Sequence, residues 1–560
     1  MAISKTTEQD AVKVRVFLAC LVALGITLGL WRFMSQVPMD YPALTRARDE
    51  SSFLQWTRLL EEAQLLQLQQ SLLGRYPSQS TVIRNARIID MRDGQMGPPQ
   101  DVRIANGRIV EIGDTLDVSG AQRVVEASGH VLMPGLVDMH VHGLESTAQP
   151  LLNIVHGVTA VREMDGFRWM LRQREQAANN RLFAPSMIVA GPILNASPMD
   201  WYAEVVTTEE QARTAVRAHA EAGYDAIKVH NNLPADLLTA IVDEAASRNI
   251  DVVGHIPHDV TVARAVELGF RTAEHFKGYL DDRTLTIADN NWREASRDSG
   301  MWNTPTLQAH RAHLRGSEAR EAQLDPEAVQ MSPLERELWR IEGEQPLDEV
   351  TRVRLGARAY ADIIFRTLLE DGARFLTGTD SGGGYPFMIF GRVLVQEMQD
   401  FHSLGMSAAQ TLRSATLEAA IASRMEGEFG EVIVGARADL ILMPENPLEN
   451  IDALLDPEIV CLRGACLDRA AIAGIRRELT DAYARTQLRL NTAAIMDADI
   501  DQWMVDMARL RADGVVFRDN QLASAESLLL KLSRIDDAQQ VRGWMTDPDR
   551  WPLPDQRDSR

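Results

Sequence analysis

Apolar positions fall into distinct patterns along the chain. Residues 16–31 (VFLACLVALGITLGLW) are sixteen consecutive positions without a charge. At 1.5 Å per helical residue this run spans about 24 Å, against a hydrocarbon core of ~30 Å. Val12, Val14, Phe33 and Met34 extend it if Lys13, Arg15 and Arg32 snorkel to the interface. The expectation is an uncleaved single-pass membrane anchor over residues 1–38. A cleaved signal peptide, which would leave a secreted or periplasmic chain, is the alternative, although no small-x-small site follows. Lys5, Lys13 and Arg15 before the span place the rest of the chain outside the cytoplasm. Arg32, Arg46 and Arg48 beyond it pull against that orientation.

From 51 to 73, Phe53, Leu54, Leu59, Leu60, Leu65, Leu66 and Leu68 recur at helical spacing, predicting a helical linker over 39–78. The pattern then changes to β-rich runs at 81–89 and 101–112, with Asn106-Gly107 marking a hairpin. A second β-rich block returns at 431–443 and 459–467. Between them, residues 134–428 alternate short apolar strands with helical stretches, which predicts an α/β fold with a (β/α)8 TIM-type barrel. The two flanking blocks, 79–133 and 429–470, then build one small composite β-sandwich that the barrel interrupts. Runs at 475–490 and 523–532 make residues 471–560 a helical C-terminal extension. It is expected to pack against the body or, in a homo-oligomer, against a neighbouring subunit.

Composition narrows the partners. At 560 residues the chain exceeds a single ordinary core. Its 58 Lys+Arg against 79 Asp+Glu give a net charge of −21, which excludes nucleic acid as the main partner. Cys20, Cys461 and Cys466 are too few for a thiolate metal site. Cys461 and Cys466 are expected to be two separate thiols, a disulfide being the alternative in an oxidising compartment.

The barrel region opens with Pro134-Gly-Leu-Val-Asp-Met-His-Val-His142. Residues i and i+2 of a strand share a face, so His140 and His142 form a natural pair of metal ligands at a strand end. Later runs supply Lys228 within Ala-Ile-Lys-Val-His230, then His255, His275 and Asp380. In such a barrel, residues at the C-terminal ends of different strands converge on one mouth.

In this order and wording, residues 81–468 resemble the metal-dependent amidohydrolase superfamily. The returning segment Gly435-Ala-Arg-Ala-Asp-Leu-Ile-Leu resembles that family too. The branch most similar holds prolidase-like dipeptidases and imidazolonepropionase relatives. The resemblance implies two divalent ions, with His140, His142 and Asp380 on the first and His255 and His275 on the second. It implies that CO2 carboxylates Lys228 to a carbamate bridging both; the alternative is a snorkelling lysine in an ion pair. Zinc suits the N/O donor set. A hydroxide bridging the metals then attacks an amide carbonyl, with Asp380 as general base and afterwards general acid. A small amide or peptide, a dipeptide or an N-acyl amino acid, is the expected substrate. Ester, lactone or phosphoester hydrolysis on the same site is the alternative. A non-catalytic membrane scaffold is a third reading, against which all six ligand positions stand.

Several residues bear on the substrate. His230, two after Lys228, either contacts the substrate and stabilises the oxyanion or serves as a loop histidine. Prolidase-like relatives often carry tyrosine near there, which weakens transfer of their preference. His258 either binds substrate or bonds within its loop. Trp201 and Tyr202 either wall the pocket or pack elsewhere. The long stretch from 305 to 374, with His310 and His313, is either a lid or a helical insertion. Gly382-Gly-Gly384 is a turn at the mouth, lacking the lysine and hydroxyl of a phosphate loop.

Overall fold

The computed structural model describes residues 50–143, 146–198, 203–281, 286–288, 291–297, 299–311, 316–345, 349–383, 385–492, 495, 497–532 and 534–546. The expected membrane span at 16–31 lies outside these residues. Among the described residues, no helix is long and apolar enough to cross a membrane.

Two compact units are present. Of the described residues, the larger holds those within 64–483 and 514–518, and the smaller holds those within 50–63, 484–513 and 519–546. In the smaller unit, Trp56 meets Trp503 edge-on with ring centroids 5.7 Å apart, and Trp503 Nε1 donates to the Leu59 carbonyl at 3.2 Å. The predicted helices appear as Glu50–Arg75, Arg469–Thr492 and Asp519–Lys531, joined by Asp497–Ala512 and Ile535–Arg542. The first of these packs on the body: in the larger unit Leu65, Leu68 and Leu72 are buried with Val460, Leu462, Ile475 and Leu479.

Eight parallel segments form a closed ring in the larger unit. Leu136–Val141, Val158–Glu163 and Ser186–Val189 pair in succession, and Ala226–Val229, Asp251–Gly254, Thr272–Glu274, Trp302–Thr304 and Arg374–Phe375 do likewise. An Ala190–Ala226 bridge joins the two runs. At the other seam, Asp380 N donates to His140 O at 2.7 Å and His142 N to Ser381 O at 2.9 Å. The first strand is buried at every position, as a strand with covered faces must be. Local signals set the intervening helices. Thr208 caps Glu209–Ala222, which stops at left-handed Gly223 just before the Lys228 strand.

The flanking blocks share one apolar cluster, including Ile83, Val102, Ile109, Leu440 and Cys461. Their strands form one hydrogen-bonded path, from which Arg123–Glu126 branches beside Thr81–Asp90, rather than two separate sheets, a difference from the expected sandwich. The path curls, because Arg108–Gly113 also bonds to the segment around Ala436, with Ile109 N donating to Ala436 O at 2.9 Å. Cys461 and Cys466 correct another expectation: they are disulfide-bonded. The reason is register, since Ile459–Leu462 and Ala465–Asp468 form a hairpin that sets the two directly opposite each other.

The long stretch before the eighth strand is helical, with Leu307–Arg311, Gly316–Gln323, Pro333–Glu344 and Glu349–Glu370. His310 lies on the first of these helices. His313, Trp201, Tyr202 and Gly384 lie outside the described residues.

Candidate metal centre

The C-terminal ends of the ring strands bring the predicted residues together. His140, His275 and Asp380 offer donor atoms within 4.8 Å of one another. His142 joins them, its Nε2 lying 3.1 Å from Asp380 Oδ1, while His140 Nε2 lies 3.4 Å from the same oxygen. The His255 ring is 4.9 Å from that of His275 and 4.0 Å from that of His230. Lys228 is 1% exposed, and its stem lies against Gly254, where an added Cβ would come within 3.0 Å of the lysine Cδ.

Outer partners orient the imidazoles. His140 Nδ1 is 2.8 Å from Glu274 Oε2, His255 Nδ1 is 2.6 Å from Asn231 Oδ1, and His275 Nδ1 is 2.6 Å from Thr306 Oγ1. In His140 this leaves Nε2 facing Asp380, an arrangement metal-binding histidines favour, whereas His275 turns the same Nδ1 toward Asp380 Oδ2 at 3.7 Å. Asp138 supports the opposite wall by accepting from Thr379 N and Oγ1 and from His140 N. Arg162 is buried and donates to the second Glu274 oxygen at 2.8 Å and to the Met139 carbonyl at 2.7 Å.

Glu274, Asn231, Thr306, Asp138 and Arg162 were not singled out from the sequence. Arg162 and Glu274 had a usable signal, charged positions inside short apolar strands. Asn231 and Thr306 had none, because they sit in loops whose course the fold decides.

Electrostatics keep most of the imidazoles neutral. Burial, followed by nearby positive charge including Lys228, holds His140, His230, His255 and His275 well below the usual histidine range. Burial also disfavours charged His142, but its hydrogen bond to Asp380 and that carboxylate's charge prevail and raise it. Burial brings the Lys228 ammonium down to about 8. Neutral imidazoles and a readily deprotonated lysine are the states that cation binding requires.

The backbone is held in unusual conformations here. His275 (φ 58), Thr306 (φ 50) and Asp380 (φ 63) all lie in the left-handed region, and such residues cluster at functional sites. Gly382 (φ +78) passes so close to His142 that a Cβ would lie 1.9 Å from its carbonyl oxygen. The predicted turn at the mouth is therefore a tight fit against a candidate ligand's backbone.

His230 is half-buried, and its buried Nδ1 has no hydrogen-bond partner. His258 is exposed on the loop after His255, its N–H bonded to the Asn231 carbonyl.

A closed parallel ring whose strand ends gather four histidines and an aspartate is the α/β architecture of amidohydrolase-type proteins, with a candidate metal site at its mouth. Residues 131–465, more than half the chain, match the Amidohydrolase family, and the protein belongs to it. Family members generally bind divalent metals, for which His140, His275 and Asp380 supply a cluster.

An adenine deaminase of Bacillus licheniformis is 28% identical over 244 residues, 40% of this chain and 38% of that protein. A dihydroorotase of Streptomyces coelicolor is 42% identical over 81 residues, 14% of this chain and 17% of that protein. The chain thus spans well under half the length of these curated relatives. Among solved structures, a bottromycin amidohydrolase superposes with TM-score 0.60 at 23% identity, covering 81% of this chain and 96% of that one. A Xaa-Pro dipeptidase with bound methionine gives 0.55 at 21% identity, covering 70% and 100%. These two likenesses concern the fold.

Proposed function

We propose that the protein is a binuclear metal-dependent hydrolase that cleaves an amide C–N bond in a dipeptide or N-acyl amino acid. The carrying observation is the convergence of His140, His142, His255, His275 and Asp380, with three of the histidines locked at Nδ1 by outer oxygens. The donor set fits divalent cations, since His140 Nε2 is buried without a hydrogen-bond partner. His140, His142 and Asp380 would hold one ion, and His255 and His275 the second. Lys228, carboxylated by CO2, would bridge them. Such ions, with zinc suited to the donors, polarise a carbonyl and lower the pKa of water.

The chain's own residues supply the rest. Asp380, 5% exposed and beside His142, takes the proton from the attacking water and passes it to the departing amine nitrogen. His230 can donate to the developing oxyanion, and His258 stands at the rim to contact the substrate's far end. The fold shared with a Xaa-Pro dipeptidase favours a peptide-like substrate. That chemistry needs no serine or cysteine nucleophile.

An N-terminal anchor at 16–31 with an extracytoplasmic body completes the proposal. The Cys461–Cys466 disulfide supports it, because such bonds persist in oxidising compartments.

The test is a substrate panel with metal-reconstituted enzyme, covering dipeptides, N-acyl amino acids, esters, lactones and phosphoesters, alongside Asp380→Ala. Amide turnover that falls roughly 10²–10⁴-fold in Asp380→Ala, with metal largely retained, supports the reading. Unchanged turnover in that variant, or activity confined to esters or phosphoesters, defeats it.

A further inference from the structure

We infer that Glu397 is a positioning residue for the metal centre, holding from a neighbouring helix the turn that aims His275. This rests on the reading of His275 as a metal ligand. His275 leaves its strand in a left-handed conformation that residues with a Cβ seldom adopt. Two bonds fix it there. Its backbone N–H donates to Thr304 O at 2.9 Å, and its Nδ1 lies 2.6 Å from Thr306 Oγ1.

Thr306 is itself the weak point. It is fully buried, β-branched and left-handed at φ 50, a combination that persists only where the surroundings over-determine it. The next two residues provide that restraint. Leu307 N and Gln308 N donate at 2.7 and 2.8 Å to the two carboxylate oxygens of Glu397, which is 0% exposed on helix Arg392–Ser403. Nearly one turn further along that helix, Asp400 accepts from Gln308 Nε2 at 2.6 Å and lies 3.1 Å from Arg358. One helix thus grips the segment through its backbone and through a side chain.

Removing the Glu397 carboxylate leaves at least one buried N–H without an acceptor. The turn then relaxes, and the Thr306 hydroxyl leaves His275. The ring keeps its place in the sequence but loses its aim, so the effect falls on metal retention rather than on substrate contact. No other contact of Glu397 reaches the centre among those described.

The test extracts zinc from the loaded full-length protein with a graded chelator series, comparing Glu397→Gln, Thr306→Val and the double variant. Each single variant is expected to weaken zinc retention roughly ten- to hundred-fold. The double variant should then lose little beyond the worse single, because both act through one bond. Zinc retention unchanged in Glu397→Gln, or a double loss equal to the product of the singles, overturns the inference. Should Glu397→Gln fail to fold, Glu397→Asp replaces it in the same cycle, its shorter arm unable to span both N–H groups, and the same outcomes decide. His275→Ala separates the two levels. Full zinc retention there brings down the metal-centre reading, whereas loss there with Glu397→Gln unaffected brings down this inference alone.

Discussion

His140 and Glu274 come from the first and sixth ring strands, and they meet at 2.8 Å with both side chains excluded from solvent. The contact fixes which His140 nitrogen faces Asp380. It also explains a buried glutamate directly before His275, where an apolar residue would suit the strand better. A carboxylate behind an imidazole holds its orientation and raises its basicity as a ligand.

Replacing Glu274 with glutamine should therefore weaken metal retention roughly 10- to 100-fold while leaving the four histidines in place. Chelator titration of the purified variant against the parent measures this. Equal retention in both would show that the contact does not matter to the site.

Arg162 balances the same carboxylate, donating from Nη2 to Glu274 Oε1 at 2.8 Å in a fully buried setting. Arg162→Leu leaves that carboxylate buried and uncompensated, which typically costs about 3–5 kcal/mol. Urea denaturation should show the loss as a lower midpoint at unchanged slope. A change under 1 kcal/mol would mean that Glu274 is neutral or finds another partner.

Lys228 is 1% exposed, and burial lowers its ammonium to about 8. Lys228→Ala should lower metal content, with partial recovery on adding a small carboxylic acid that occupies the vacated space. Two fully occupied metals in that variant without added acid would refute the bridging role. Mass spectrometry of the intact parent under CO2 should also show a labile carbamate.

Away from the centre, Glu327 governs an acid-side response. Burial opposes its ionisation, but His156, Arg476 and Arg392 prevail and bring its carboxyl from 4.5 to about 2. Contacts of 3.2 Å to His156 and 2.9 Å to Arg476 carry the effect. A carboxyl depressed in the folded state stabilises above its unfolded value, and that stabilisation is lost as pH falls from about 4.5 to about 2. Glu327→Gln should flatten the stability profile across that window and change little above it. Thermal melts at stepped pH read the difference, and parallel profiles for the two proteins would contradict it.

The candidate ligand set could be proposed from the chain because strand geometry is local. His140 and His142 share a face by alternation, Lys228 lies inside a short apolar run, and His255, His275 and Asp380 each follow one. The ring of parallel strands followed from the same rhythm of strand and helix. Only the tertiary structure decided what surrounds those ligands. Glu274 faces His140 across 134 positions of sequence, and Glu397 reaches Leu307 across 90. No periodicity encodes such pairings, since they depend on which helix packs behind which strand end. The disulfide shows the same limit on a smaller scale. Five positions separate Cys461 from Cys466, but only hairpin register turned two thiols into a cross-strand pair. Alternation and helical spacing are written residue by residue. Orientation at a buried centre is set where separate elements close on one another.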